Sequence, residues 1–125
     1  MIVLGIDCTT KWTCIGISEN EKIIGEFNAE LGRKQASELP VVTEKLLRDC
    51  SLKLSDVNVI AAATGPGYYT GIRTGIAYSS ALAAALRLKI IPVSTMELFV
   101  YDLRKTEKIL VQVIKTKSES IYKPI

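Results

Sequence analysis

Residues 57–88 constrain this chain more than any other stretch. Val57 to Ala63 is apolar except for Asn58, the pattern of a strand covered on both faces. It runs through Thr64-Gly65-Pro66-Gly67-Tyr68-Tyr69-Thr70-Gly71 into a predicted helix from about Ile72 to Leu88. A buried strand that passes straight into a helix is half of a β-α crossover, and a crossover implies a parallel neighbour in the same sheet. The helix is built from unusually small residues: Gly71, Gly75, Ala77, Ser79, Ser80, Ala81, Ala83, Ala84 and Ala85. Glycine in a helix interior costs about 1 kcal/mol relative to alanine, so another element must approach this backbone closely.

The other elements arrange themselves around that unit. Ile2 to Ile6, Trp12 to Ser18 and Lys22 to Asn28 read as three strands, with Glu19-Asn20-Glu21 as a hairpin turn between the second and third. A helix follows, with Ser37 as its expected cap, Glu38 at its positive end and Pro40 within its first turn. Leu39, Val42, Leu46, Leu47 and Cys50 mark its apolar face. After the central crossover come a strand at Ile90 to Val93 and a third helix to about Lys105, with Ser94 and Glu97 spaced as a capping box. Ile109 to Ile114 and Ser120 to Ile125 read as two more strands joined around Lys117 and Ser118. The order β-β-β-α-β-α-β-α-β-β describes an α/β fold: a mixed sheet with its first three strands antiparallel and helices packed on it.

A chain of 125 residues suffices for one domain with a core and is too short for two ordinary ones. Its net charge of +3 comes from Lys and Arg scattered among acids, with no basic run that would neutralise several phosphates. The longest uncharged helical stretch, Ile76 to Leu86, is too short to cross a bilayer. The apolar start stops at Asp7 with no basic flank, so the expectation is a cytoplasmic protein without membrane contact. Cys8, Cys14 and Cys50 have neither zinc-type spacing nor an even count and are read as buried thiols. Histidine is absent, which excludes imidazole acid/base work, Ser-His and Cys-His nucleophiles and His-ligated zinc. Trp12, Tyr101 and Tyr122 form no stacking platform for single-stranded nucleic acid and are read as core or edge residues.

Three motifs could carry chemistry. Asp7, Thr9 and Thr10, at the end of the first strand, could hold a hydrated cation and a phosphate, but the same residues also make an ordinary Asx/ST turn, the reading that local chemistry favours. Gly65 to Ala77 could offer helix N–H groups to an anion, yet it lacks the Lys-Ser/Thr of a P-loop and the spacing of a dinucleotide fingerprint. A tight strand-to-helix junction, with Thr70 as a possible cap, is the simpler account. On the small-residue helix, Ile72, Ile76, Ala83 and Leu86 can face the sheet, while Gly71, Thr74, Gly75, Tyr78 and Leu82 lie around another side. That second side suits internal packing on the first helix and a subunit interface about equally.

The opening Ile6-Asp7-x-Thr9-Thr10, the Glu38-Leu39-Pro40 helix and above all GPGYYTGIRTGIA (Gly65–Ala77) together resemble the TsaB/YeaZ family. The resemblance covers essentially the whole chain and about the first half of a typical member. It implies a ribonuclease-H-like fold of the actin-type (ASKHA) class, with residues 1–108 as the N-terminal subdomain and 109–125 as the start of a second. It also implies a non-catalytic scaffold that pairs with TsaD, and with TsaE in bacteria, for threonylcarbamoylation of adenosine in tRNAs reading ANN codons. Contact through the first two helices, roughly residues 37–50 and 71–88, would place Gly71, Thr74, Gly75, Tyr78 and Leu82 at the interface. Alone, the chain would form a homodimer through the same patch, and tRNA would be met only through the complex. No cofactor is implied beyond weak nucleotide or magnesium contact at an incomplete site of Asp7, Thr9 and Thr10. Two departures from the family pattern stand out: Gln35-Ala36 where many members carry a histidine, and Lys115-Thr116-Lys117 where Asp-Ala-Arg is common. The competing readings are a small ATP-dependent phosphotransferase using Asp7 and a tRNA-binding module.

Overall fold

The computed structural model describes residues 1–101, 111–115 and 120–124. Strands β1 (Ile2–Asp7), β2 (Trp12–Glu19) and β3 (Lys22–Glu30) form an antiparallel meander. Helix α1 (Gln35–Asp49), strand β4 (Val59–Ala63), helix α2 (Tyr69–Leu86), strand β5 (Lys89–Val93) and the short helix α3 (Thr95–Val100) follow. The sheet order is β3-β2-β1-β4-β5, with β4 parallel to both β1 and β5. Strands β6 (Val111–Lys115) and β7 (Ser120–Pro124) pair antiparallel in a separate two-stranded sheet. The mixed sheet and its antiparallel opening are as predicted. The expected subdomain boundary at 108/109, the end of the third helix near Lys105 and the link at Lys117 and Ser118 lie outside the described residues.

Local chemistry explains several boundaries. The β2–β3 hairpin turns on two residues, Asn20 (φ 51°) and Glu21 (φ 70°), both in the left-handed region that suits the twist of paired strands. The N-terminal ammonium donates to Asn20 Oδ1 at 2.6 Å, and the Asn20 N–H donates to the Met1 carbonyl at 3.1 Å, which fastens the start of β1 to this turn. Asn58, the polar exception before β4, accepts from the Ile2 N–H at 2.7 Å and returns its own N–H to the Ile2 carbonyl at 2.9 Å. That exchange sets the β1–β4 register at the sheet margin. The predicted strand from Val57 accordingly starts two residues later, at Val59.

The inner face of the sheet presents Leu4 and Ile6 from β1, Thr13, Ile15 and Ile17 from β2, and Ile60 and Ala62 from β4, all buried. Against them α1 sets a stripe at four-residue spacing, Gln35, Leu39, Thr43 and Leu47, while Val42, Leu46 and Cys50 pack at its margin. Helix α1 begins earlier than predicted. A 3-10 turn at Gly32–Lys34 leads directly into it, so Ser37 is not its cap and Pro40 sits beyond the first turn. Ser37 Oγ instead donates back to the Lys34 carbonyl at 3.2 Å.

Helix α2 buries Gly71, Gly75, Ser79 and Ala83, again every fourth residue. It starts at Tyr69, without the predicted Thr70 cap, and stops at Leu86 because Arg87 adopts φ 56°. The Leu88 N–H then reaches the Ala83 carbonyl at 2.9 Å, a closed C-terminal turn that usually calls for glycine. Ser94 does cap α3, its Oγ accepting from the Met96 N–H at 3.1 Å. Among the described residues no helix is long and apolar enough to cross a membrane.

Gly71 and Gly75, which the family resemblance places at an interface, instead face inward onto the end of β1. A Cβ at Gly71 would collide with the Cys8 carbonyl oxygen, Gln35 Oε1 at 2.9 Å and the Tyr68 ring at 2.9 Å; at Gly75 it would press on Cys8 Cβ at 3.3 Å. Gly71→Ala is therefore expected to destabilise the fold by about 3 kcal/mol, because backbone cannot yield as a flexible side chain does. Urea unfolding followed by circular dichroism checks this; a variant within about 0.5 kcal/mol of wild type contradicts the packing described.

Candidate functional site

Three surfaces meet near the end of β1. The first is the turn that contains the predicted Asp7, Thr9 and Thr10. Asp7 is the last residue of β1, and its Oδ1 accepts from the Thr9 N–H at 2.9 Å and from Thr9 Oγ1 at 2.6 Å. Thr10 Oγ1 accepts from the Trp12 N–H at 3.0 Å. The residues come together as an Asx/ST turn that satisfies its own backbone, with Thr9 buried, Asp7 half-buried and Thr10 exposed. One Asp7 oxygen is thereby committed to structure. Among the described residues no group of three or more His, Cys, Asp or Glu side chains gathers in a way that could hold a metal ion. The turn thus offers one carboxylate oxygen and one hydroxyl lone pair towards a cation, fewer ligands than such an ion takes.

The turn is clamped from two sides. The Tyr68 N–H donates to the Thr9 carbonyl at 2.5 Å, and Gly67 lies so close to Thr9 that a Cβ would strike its backbone. Gly65 takes φ +105°, and its carbonyl accepts the Thr95 N–H at 3.0 Å. The glycine motif is thus a tight junction that docks protein backbone against the start of α2. From the other side Gln35, 2% exposed, donates Nε2 to the carbonyls of Thr10 at 3.1 Å and Trp12 at 3.4 Å. Its Oε1 has no hydrogen-bond partner among the described residues and abuts Gly71. The sequence reading missed this role because it started α1 at Ser37; the four-residue stripe from Gln35 to Leu47 was the available signal.

The second surface is the outer side of α1 and α2. A groove of about 450 Å³ is lined by Ala36 from α1 and by Tyr69, Thr70, Arg73, Thr74, Ala77 and Tyr78 from α2. Of the five predicted interface residues, Thr74 and Tyr78 line it, Leu82 packs at the core margin, and Gly71 and Gly75 are inside. Tyr69 is 69% exposed, and the Arg73 guanidinium stands 5.6 Å from the centre of its ring. Burial pushes the Tyr78 phenol above its usual pKa. The i, i+4, i+8 stripe Tyr69-Arg73-Ala77 escaped the sequence reading because that helix was begun at Ile72. Trp12, expected in the core or at an edge, is half-exposed at the start of β2.

The third surface is the outer face of the sheet, where Asp7 and its register partner Cys14 line a shallow cleft. All three cysteines are free thiols, but only Cys8 is fully buried, Cys14 and Cys50 being half-buried.

A β3-β2-β1-β4-β5 sheet with an antiparallel opening, a carboxylate at the end of β1 and both long helices on one face defines a ribonuclease-H-like α/β domain of the ASKHA class. Thermus thermophilus RuvC shares this fold: in complex with its Holliday junction substrate it superposes with a TM-score of 0.56 at 11% identity, over 78% of this chain and 67% of its own. YeaZ from Pseudomonas aeruginosa superposes with a TM-score of 0.86 at 24% identity, over 98% of this chain and 59% of its own. The family model described as TsaD, tRNA N6-adenosine threonylcarbamoyltransferase, matches residues 24–123. The Bacillus subtilis tRNA threonylcarbamoyladenosine biosynthesis protein TsaB is 26% identical over 122 residues, 98% of this chain and 53% of that protein. The chain belongs to the TsaD family and is of its TsaB/YeaZ type. It spans about half the length of these TsaB and YeaZ relatives.

Two outcomes follow from the turn. Asp7→Asn keeps an acceptor oxygen and should cost under about 1 kcal/mol, whereas Asp7→Ala strands two Thr9 donors and should cost about 2 kcal/mol, both read by urea unfolding. Burial raises the Cys8 thiol from its ordinary 9.0 to about 11. The stability this neutral thiol contributes is complete below pH 9 and lost as pH rises through 11. The thermal midpoint should therefore fall between those values, and less steeply in Cys8→Ala; equal slopes would contradict the burial.

Proposed function

We propose that this chain is a non-catalytic partner of a TsaD-type protein in tRNA threonylcarbamoyladenosine formation, and binds it through the outer α1–α2 face. The observation that carries this reading is the match to a TsaB biosynthesis protein across 98% of the chain. The face itself supports it. A helical stripe pairing exposed Tyr69 with Arg73, beside half-buried Tyr78, has the residue types that anchor protein interfaces. The absence of histidine and the commitment of an Asp7 oxygen to its own turn favour a supporting role over catalysis.

In this reading residues 1–108 are the ribonuclease-H-like subdomain and 109–125 open a second. Without TsaD the same face closes on a second copy by two-fold symmetry, so the two associations compete. TsaE joins in a bacterial setting, tRNA is met only through the complex, and the work is done in the cytoplasm.

Mixing the chain with the TsaD of its own organism on a sizing column is the test. A co-eluting complex is expected. Arg73→Glu, at an exposed position, should weaken it by about tenfold or more while leaving the circular dichroism spectrum unchanged. No complex, an unaffected variant, or ATP hydrolysis by the chain alone that Asp7→Ala abolishes would each overturn the reading.

A further inference from the structure

Three cations and the single tryptophan of the chain are brought together at one end of the sheet. Lys11 ends the β1–β2 turn and Trp12 opens β2, whereas Arg33 and Lys34 lie in the 3-10 turn ahead of α1. Backbone contacts join the two segments. The Gly32 N–H donates to the Lys11 carbonyl at 3.1 Å, and Gln35 Nε2 reaches the carbonyls of Thr10 at 3.1 Å and Trp12 at 3.4 Å. Cations that look scattered along the sequence are thus gathered by the fold.

All four side chains reach solvent. Lys11, Arg33 and Lys34 are exposed, and among the described residues none of them is held by a side-chain hydrogen bond or ion pair. Trp12 is 49% exposed and faces away from the core, since it is its neighbour Thr13 that points inward. Two acids lie near in register or sequence, Glu30 opposite Trp12 and half-buried Glu38 one turn into α1, and neither forms an ion pair with the cations. Unpaired cations beside an exposed indole suit an unpaired stretch of nucleic acid: the cations meet phosphates and the ring stacks on a base. The relatives named for tRNA threonylcarbamoyladenosine biosynthesis favour RNA over an acidic protein surface as the occupant.

We propose, resting on the tRNA-modification reading above, that this end of the sheet holds an unpaired stretch of the tRNA, with Lys11, Arg33 and Lys34 on its phosphates and a base stacked on Trp12. Three phosphate contacts give weak binding, roughly 10⁻⁴ M at physiological salt. The contact therefore serves an RNA that the partner also grips, where a high effective concentration offsets the low affinity. The patch lies beside the α1–α2 groove, because Ala36, two residues beyond Lys34, lines that groove.

Trp12 is its own reporter. Titrating the chain with an unmodified tRNA transcript at low salt should quench tryptophan emission, and log affinity should fall against log salt with a slope of about −2, roughly −0.7 for each of three phosphates. Lys11→Glu and Arg33→Glu, both exposed changes, should each weaken binding about fivefold or more and flatten that slope, with the dichroism unchanged. By anisotropy of a labelled transcript, Trp12→Phe should stay within about twofold of wild type and Trp12→Ala should lose about fivefold or more, because stacking needs a ring. Heparin, a polyanion without bases, should bind without quenching Trp12. No quenching by tRNA at low salt, equal quenching by heparin, or a Lys11→Glu variant that binds like wild type overturns the proposal. The sizing column separates this outcome from the partner reading. Lys11→Glu should still co-elute with TsaD, so an intact complex without tRNA quenching overturns this proposal alone. Quenching by tRNA when the wild type forms no TsaD complex supports the patch and overturns only the partner reading. Co-elution lost in Lys11→Glu with tRNA binding unchanged shows that the cations meet an acidic face of the partner, and also overturns the proposal.

Discussion

Where the β1–β2 turn meets the start of α2, two stretches of backbone are in direct contact. The Thr9 carbonyl takes the Tyr68 N–H, Gly67 lies against Thr9, and Gly71 lies against the Cys8 carbonyl. No side chain larger than hydrogen fits at 67 or 71, so the path of α2 across the sheet is decided by backbone sterics rather than by side-chain complementarity. The glycines that cost helix stability in isolation are what allow this contact. With α2 held there, Gly75, Ser79 and Ala83 fall in turn over the inner face, and α1 packs beside them through Leu39, Thr43 and Leu47.

Gln35 ties α1 to the same point. Its amide donates to two turn carbonyls while its oxygen, without a hydrogen-bond partner among the described residues, rests by Gly71. A buried amide with one unsatisfied oxygen carries a desolvation cost, which the two donated bonds offset. The carboxylate of Asp7 completes the clamp from the strand side. A constellation that looks in sequence like half of a phosphate site is thereby a structural knot, and the outer α1–α2 groove lies outside it.

Legibility varied with the range of the forces involved. Asn20-Glu21 as a hairpin turn and Ser94 as a helix cap were readable because each is settled within a few residues. Helix starts were less readable. Propensity gave no reason to begin α1 at Gln35 or α2 at Tyr69, since neither has a side-chain cap; the preceding 3-10 turn and the docked Tyr68 N–H define them. Those misplaced starts hid Gln35 from one helix and the Tyr69-Arg73-Ala77 stripe from the other.

The order of elements, the mixed sheet and the family were determined by the sequence alone, through hydrophobic periodicity and the Gly65–Ala77 motif. Which side of α2 its glycines face was not. Gly71, Thr74, Gly75, Tyr78 and Leu82 span neighbouring rows of one helix, and a rotation of a fraction of a turn exchanges inside for outside. Only the tertiary contact with Cys8 and Thr9 selects the rotation that buries Gly71 and Gly75 and leaves Thr74 and Tyr78 at the groove. Small residues report that something comes close, and it takes the packed structure to say what.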